Sequence, residues 1–357
     1  MQLTFSLSWL SLEESQLQRF VLLVMRSRLP LSFTILFLAF VCADTVRQSA
    51  TSVQAILQSI NNFFFGYSML QCVLVGRHPR LWVLMRELRS LVQAIKADPG
   101  EKPWVVHTRR TSVVLSAIST TYVVVFYVHM CQDTLFSEEP FVPLWPFVPY
   151  AGAWGALFGR LFYGACMLVW IPTSVCVIIA LILSLAVPAG LHHALAQRLR
   201  VTDAPGRTLD VVQDVVAKHQ RLRLVTHGLT RYFSAKLAHI QIASFLTTIF
   251  AFISVICGDV NFTTAIFLLP ILNDFLQFSY LSQELSDSSA SLARSAYHAA
   301  TGGSVSLPEA RALALVMMTA SATPALRCRG VGRLSLATAG KAMSKLWKVI
   351  SLLRDKL

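Results

Sequence analysis

The chain has 357 residues, of which 55% are hydrophobic and only 14% charged, whereas soluble domains carry about 25% charged residues. With a mean hydropathy of +0.58, a single water-soluble core would have to bury apolar runs that recur along the whole length, which excludes the ordinary soluble enzymes. The formal charge of +13, from 31 Lys and Arg against 18 Asp and Glu, invites a nucleic-acid partner, but membrane topology accounts for it better and no nucleic acid is expected.

In chain order, Glu13 and Glu14 precede the first apolar run, and no short hydrophobic region with a small-residue cleavage site follows. The amino terminus therefore does not read as a signal peptide, and the first span is expected to stay in the mature protein. Apolar stretches of helix length follow at 29–46, 51–75, 111–131, 157–187, 237–257 and 262–282, with a weaker seventh at 335–353. Each is near the roughly 20 residues a transmembrane helix needs, and none alternates as a membrane strand would. Between the second and third spans, Leu81, Leu84, Leu88, Leu91 and Val92 recur at helical spacing, with Arg80, Arg86 and Arg89 on other faces, which predicts an amphipathic helix over 80–96. Leu191 to Leu199 prolongs the fourth span, and Val211 to Leu224 leads into the fifth. Asp203-Ala204-Pro205-Gly206 is the expected breaker between them.

Lys and Arg counts orient these spans, because basic loops stay on the cytoplasmic side. Residues 77–110 hold eight Lys and Arg and residues 188–236 another eight, while 131–159 hold none, with Asp133, Glu138 and Glu139 instead. The second and fourth connections therefore face the cytosol. After seven spans the amino terminus is inside and the carboxyl terminus outside, opposite to a G-protein-coupled receptor. The basic cytoplasmic extensions are also suited to anionic lipid headgroups, so membrane lipids are expected partners.

The seven cysteines contain no CxxC pair and no His at zinc spacing, so neither a metal nor another cofactor is expected. Cys131 and Cys257, near outer span ends, are the two placed to meet as a disulfide. Asn261-Phe262-Thr263 fits the glycosylation pattern, although its closeness to the bilayer favours an unused site. No GxSxG, HExxH or P-loop is present, and His192-His193 has no carboxylate at metal spacing, so an enzyme is not expected.

The run Asn273-Asp274-Phe275-Leu276-Gln277-Phe278-Ser279-Tyr280-Leu281-Ser282-Gln283-Glu284-Leu285, followed by Ser288, Ala293 and Ala296-Tyr297, resembles the sixth-span signature of insect odorant receptors. Leu307-Pro308, Arg311, Leu315-Val316-Met317-Met318, Pro324-Ala325-Leu326, Leu334-Ser335-Leu336, Lys341 and Leu352-Leu353-Arg354 continue that likeness in order. Upstream, Pro143-Leu144-Trp145-Pro146-Phe147 resembles the family's outer loop, and His219 to Ser244 its approach to the fifth span. The inverted topology is the family's as well. Gustatory receptors are near relatives, and a gustatory-type channel is the alternative; a polytopic transporter is a further one, although the inverted repeats it predicts are not found.

The resemblance implies an all-α membrane protein of seven transmembrane helices. It would be an odorant-gated, nonselective cation channel subunit that assembles with an odorant co-receptor in the plasma membrane of sensory neuron dendrites. Residues 1–282 would be the ligand-binding region with its cytoplasmic helix extensions, 283–334 a cytoplasmic anchor segment and 335–357 the pore-lining final helix. A small volatile organic ligand would sit between spans two, three, four and six, in an apolar and aromatic cavity. The candidates there are Phe63 and Phe64; Ser119, Tyr122 and Phe126; Phe162, Tyr163 and Met167; and Phe262 with Ile266. Asp274, ionisable within a span, is expected to hydrogen-bond in the interior. In the final helix, Lys345, Lys348, Leu352 and Lys356 are the pore candidates, with Leu352 near the outer constriction. Lysines at 345 and 348 depart from the family's pattern.

Overall fold

A computed structural model describes residues 27–48, 53–96, 102–136, 152–201, 209–256, 262–301, 305–322, 324–328 and 332–354. Described elements are α1 (Leu29–Gln48), α2 (Val53–Arg77), α3 (Pro79–Lys96), α4 (Lys102–Phe136), α5 (Gly152–Val201), α6 (Leu209–Ile256), α7 (Phe262–Thr301), α8 (Leu307–Ser321), β1 (Arg327–Cys328), β2 (Gly332–Arg333) and α9 (Leu336–Arg354). The described elements are thus helical apart from one two-stranded antiparallel ribbon, which pairs Arg327 with Arg333 and Cys328 with Gly332. The breaker at 203–206, the Pro143 to Phe147 loop, Asn261 and Lys356 lie outside the described residues. So does Cys257 of the suggested disulfide.

Three of these helices carry stretches long and apolar enough to cross a membrane, Leu29–Arg47, Trp104–His129 and Ala153–Arg200. The other expected spans fall on α2, α6, α7 and α9. The 50 residues of α5 extend over about 75 Å, more than twice a hydrocarbon core of roughly 30 Å. Such a helix has to run well beyond the bilayer, as Leu191 to Leu199 predicts, and α6, with 48 residues, does the same.

The central column is α5, which packs against α1, α2, α3, α4, α6 and α7. Every residue from Leu181 to His192 on it is buried, so its lower half is enclosed by protein on all sides, as uniformly apolar helices are. In α3, Leu81, Leu88, Leu91 and Val92 are buried, and the same face adds Met85 and Ile95. Arg80 and Arg86 point outward, as the amphipathic reading requires. Trp82 Nε1 donates to the Gly76 carbonyl at 2.8 Å and closes the α2–α3 corner.

A stripe of buried serines on α7 explains how the carboxyl-terminal segment is held. The Ser282 hydroxyl accepts from the Leu326 amide at 3.0 Å, Ser289 donates to the Ala320 carbonyl at 2.9 Å, and Arg333 donates to Ser286. The Gln283 side-chain carbonyl accepts from the Leu336 amide at 3.2 Å, at the start of α9. Small hydroxyl side chains let the segment approach closely while satisfying backbone groups that burial would otherwise orphan. Ser306 opens α8, its amide and hydroxyl both donating to the Glu309 carboxylate. Gly332 opens β2 at φ +91°, a backbone conformation that glycine adopts without strain.

Candidate ligand-binding site

The core has two parts. The larger lines the lower half of α5, and the smaller joins α1, α2, α4 and the upper half of α5. Phe37, Phe126, Tyr127, Tyr163, Met167 and Trp170 are buried in the smaller one, with Phe33, Phe40, Phe63, Phe65, Tyr122 and Phe162 packed around them.

Its rings meet mostly edge to face. Phe37 stands at 4.8 Å and 89° to Trp170, and Phe65 at 5.7 Å and 77° to the same indole. Phe65 also reaches Phe126 at 5.7 Å, Tyr122 is stacked on Phe126 at 6.5 Å, and Phe40 meets Phe162 at 5.3 Å. Edge-to-face pairs set the positive ring edge against the negative ring face, which fixes orientation as well as contact.

Trp170, Thr34, Tyr127 and Ser174 hydrogen-bond within the protein. Trp170 Nε1 donates to Thr34 Oγ1 at 2.8 Å, and Thr34 Oγ1 donates to the Pro30 carbonyl at 2.6 Å. The Tyr127 hydroxyl donates to Met69 Sδ at 3.1 Å, where Ser174 Oγ also donates at 3.3 Å. A guest among these side chains would meet mainly ring faces and a thioether, the surface that suits a small apolar molecule.

Six of the ten expected ligand residues, Phe63, Tyr122, Phe126, Phe162, Tyr163 and Met167, come together in this cluster. Phe64 contacts Phe63 at 5.7 Å and lies at its edge. Ser119 turns toward α7, its hydroxyl donating to Gln277 Oε1 at 2.9 Å. Phe262 and Ile266 lie on α7 with side chains outside the described residues, as does that of Asp274. On α9, Lys345, Lys348 and Leu352 are exposed.

Sequence reasoning missed the contribution of α1. Phe33, Phe37 and Phe40 recur at steps of four and three, so the signal was present in the helical period. It also missed Trp170, seven residues after Tyr163 on the same face. A further constellation sits at the far end of α5. His193 Nε2 is 3.2 Å from Glu284 Oε1, and Trp104 stacks on the His193 ring at 4.3 Å and 12°. The hydrogen bond from His193 holds the Glu284 carboxyl below its ordinary range. This contact ties α4, α5 and α7 together, and spacing along α5 alone does not reveal the carboxylate that supplies it.

No family model matches the chain, and no curated protein matches it in sequence. Among solved structures it is similar to the insect olfactory receptor OR5 from Machilis hrabei in complex with eugenol. That TM-score is 0.77 at 10% identity, covering 100% of both chains. A second structure of the same receptor gives a TM-score of 0.63 at 11% identity, covering 94% of this chain and 88% of that one. The chain shares the largely helical fold of that olfactory receptor.

Proposed function

We propose that the chain is an odorant receptor, a tuning subunit of a nonselective cation channel opened by a small volatile organic ligand. It would work with an odorant co-receptor in the plasma membrane. The observation that carries this reading is the aromatic cluster of α1, α2, α4 and α5, in a chain whose fold follows an olfactory receptor solved with eugenol. Basic connections at 77–110 and 188–236 support an orientation with the amino terminus and the long extensions of α5 and α6 in the cytosol. Ligand entry among the rings opens the channel if it binds the open arrangement of these helices more tightly than the closed one. In α9, Lys341, Lys345, Lys348 and Leu352 are all exposed on one face, which suits a helix that faces a shared pore.

The experiment is a ligand panel applied to cells expressing this chain together with the co-receptor. Odorant-evoked cation current that requires both chains supports the proposal. Substrate flux without such current would replace it with a transporter.

A further inference from the structure

Within the aromatic cluster, three polar atoms from three helices converge. The Tyr127 hydroxyl of α4 donates to Met69 Sδ of α2 at 3.1 Å, Ser174 Oγ of α5 donates to the same sulfur at 3.3 Å, and the two hydroxyl oxygens are 3.4 Å apart. Tyr127 and Ser174 are buried, 2% and 4% exposed, whereas Met69 is only partly buried. Ser174 Oγ points away from its own helix. Thr173 beside it, like Thr34 and Thr120, donates to the carbonyl four residues back, at 2.8, 2.6 and 2.6 Å respectively. Ser174 instead sends its proton across to α2, where a thioether is a weak acceptor. Two O–H donors thus share a poor partner in an apolar interior, where a stronger acceptor gains most.

We infer that Tyr127 and Ser174 form a two-donor clasp for a carbonyl oxygen, so that this site takes a volatile ketone, aldehyde or ester whose oxygen replaces the Met69 sulfur. The inference rests on the proposed reading of the cluster as the odorant site. With their oxygens 3.4 Å apart, both hydroxyls reach one acceptor at the ordinary O–H···O distance of about 2.7–2.8 Å. A carbonyl oxygen has two lone pairs for the two donors and no proton of its own to leave orphaned. An alcohol brings such a proton, and a hydrocarbon offers no acceptor.

The surroundings receive the rest of such a molecule. Met69 follows Phe65 by about one turn on α2, Ser174 follows Trp170 by about one turn on α5, and Tyr127 adjoins Phe126 on α4. Phe65 stands 5.7 Å from both Phe126 and Trp170, so a set of rings lies one turn along from the clasp. A ligand with its oxygen in the clasp lays its aryl or alkyl body against these rings. Met69 is the side chain suited to make room, because it is unbranched, turns about three bonds and sits at the edge of the cluster. Its departure frees both hydroxyl protons for the incoming oxygen, and the stronger acceptor offsets the two sulfur hydrogen bonds that are lost.

The test uses the purified full-length chain and reads affinity from the rise of its thermal midpoint with ligand concentration. The probes are matched pairs in which a methylene group replaces the carbonyl oxygen: acetophenone with α-methylstyrene, and cyclohexanone with methylenecyclohexane. Each ketone should bind about tenfold more tightly than its alkene. Ser174→Ala and Tyr127→Phe should each cut that ratio about threefold, and together abolish it, by weakening the ketone and not the alkene. Thr173→Val, which removes the neighbouring hydroxyl, should preserve the ratio. Met69→Ala, which clears the position of the oxygen, should tighten ketone binding. A merely structural role for the three residues would lower the midpoint of the unliganded variants and leave the ratio alone. Ketones that bind no better than their alkenes, a ratio that survives the double variant, or ketone binding that Met69→Ala does not tighten would overturn the inference. Odorant-evoked current carried by hydrocarbons alone would also overturn the clasp while leaving the channel proposal standing. Ketone-selective binding to a chain that gives no odorant-evoked current would do the reverse.

Discussion

Tyr122 and Phe126 share one face of α4, yet burial separates what their removal should do. Phe126 is 6% exposed and wedged against Phe65 and Tyr127, so Phe126→Ala opens a cavity costing about 3 kcal/mol. Reduced surface expression is expected, and the milder Phe126→Leu is the variant for reading ligand potency. Tyr122 is only partly buried, so Tyr122→Ala should keep surface expression and shift agonist potency about tenfold, on the scale of one aromatic contact. Unchanged dose-response curves for a panel of agonists in Tyr122→Ala and Phe126→Leu would remove α4 from the pocket. Glu284 behaves differently, because its partner is the His193 ring, 3.2 Å away. With its pKa lowered below the ordinary 4.5, mainly by the His193 hydrogen bond, it contributes stability above that pH, lost as pH falls through the lowered value. Glu284→Gln should therefore lower the thermal midpoint in detergent at neutral pH, and the difference from the parent should shrink below about pH 4.5. A difference that persists undiminished in acid would mean that packing, not charge, holds this contact.

Among the elements, helices were legible wherever one periodic signal decided the matter. The amphipathic α3 and the final α9 came out within a few residues of their predicted spans, because apolar spacing and length are local properties. What stayed hidden depends on partners distant in sequence. The Ser282, Ser286 and Ser289 stripe looks like ordinary polar substitution until α8, the ribbon and α9 lie against it. Phe37 looks like lipid contact until Trp170 of α5 meets it. The crossing of α4 and α5 is another such case. A Cβ on Gly190 would fall 2.7 Å from the Thr108 Cβ and closer still to its hydroxyl, so the two helices approach through an absent side chain. Gly190→Ala should cost about 1–3 kcal/mol by overpacking, seen as a lower thermal midpoint, with substantial recovery in the Thr108→Gly background. Equal destabilisation in both backgrounds would mean that the contact does not limit the crossing.

Taken as a whole, the molecule leaves α9 with little of its own protein around it. This helix packs against α7 and α6, while Lys341, Lys345, Trp347, Lys348 and Leu352 remain exposed. Lys341, Lys345, Lys348 and Leu352 recur at steps of four, three and four, which sets them on one face. If that face lines a pore, four copies of the chain would place rings of ammonium groups along the path of a cation. In a weakly screened space each ring repels the permeant ion, and a divalent ion twice as strongly as a monovalent one. One copy beside three co-receptor helices carries a quarter of that charge, and its long side chains can swing their ammonium groups toward water. The chain is therefore expected to be silent when expressed alone and to conduct only as a minority subunit, with Lys345 and Lys348 lowering divalent permeability. Recording reversal potentials in calcium for heteromers carrying Lys345→Thr with Lys348→Ser checks this, and calcium permeability relative to sodium should rise. Robust cation current from the unmodified chain without any partner would sink the idea, since it would require four lysine-bearing helices to surround a conducting cation path.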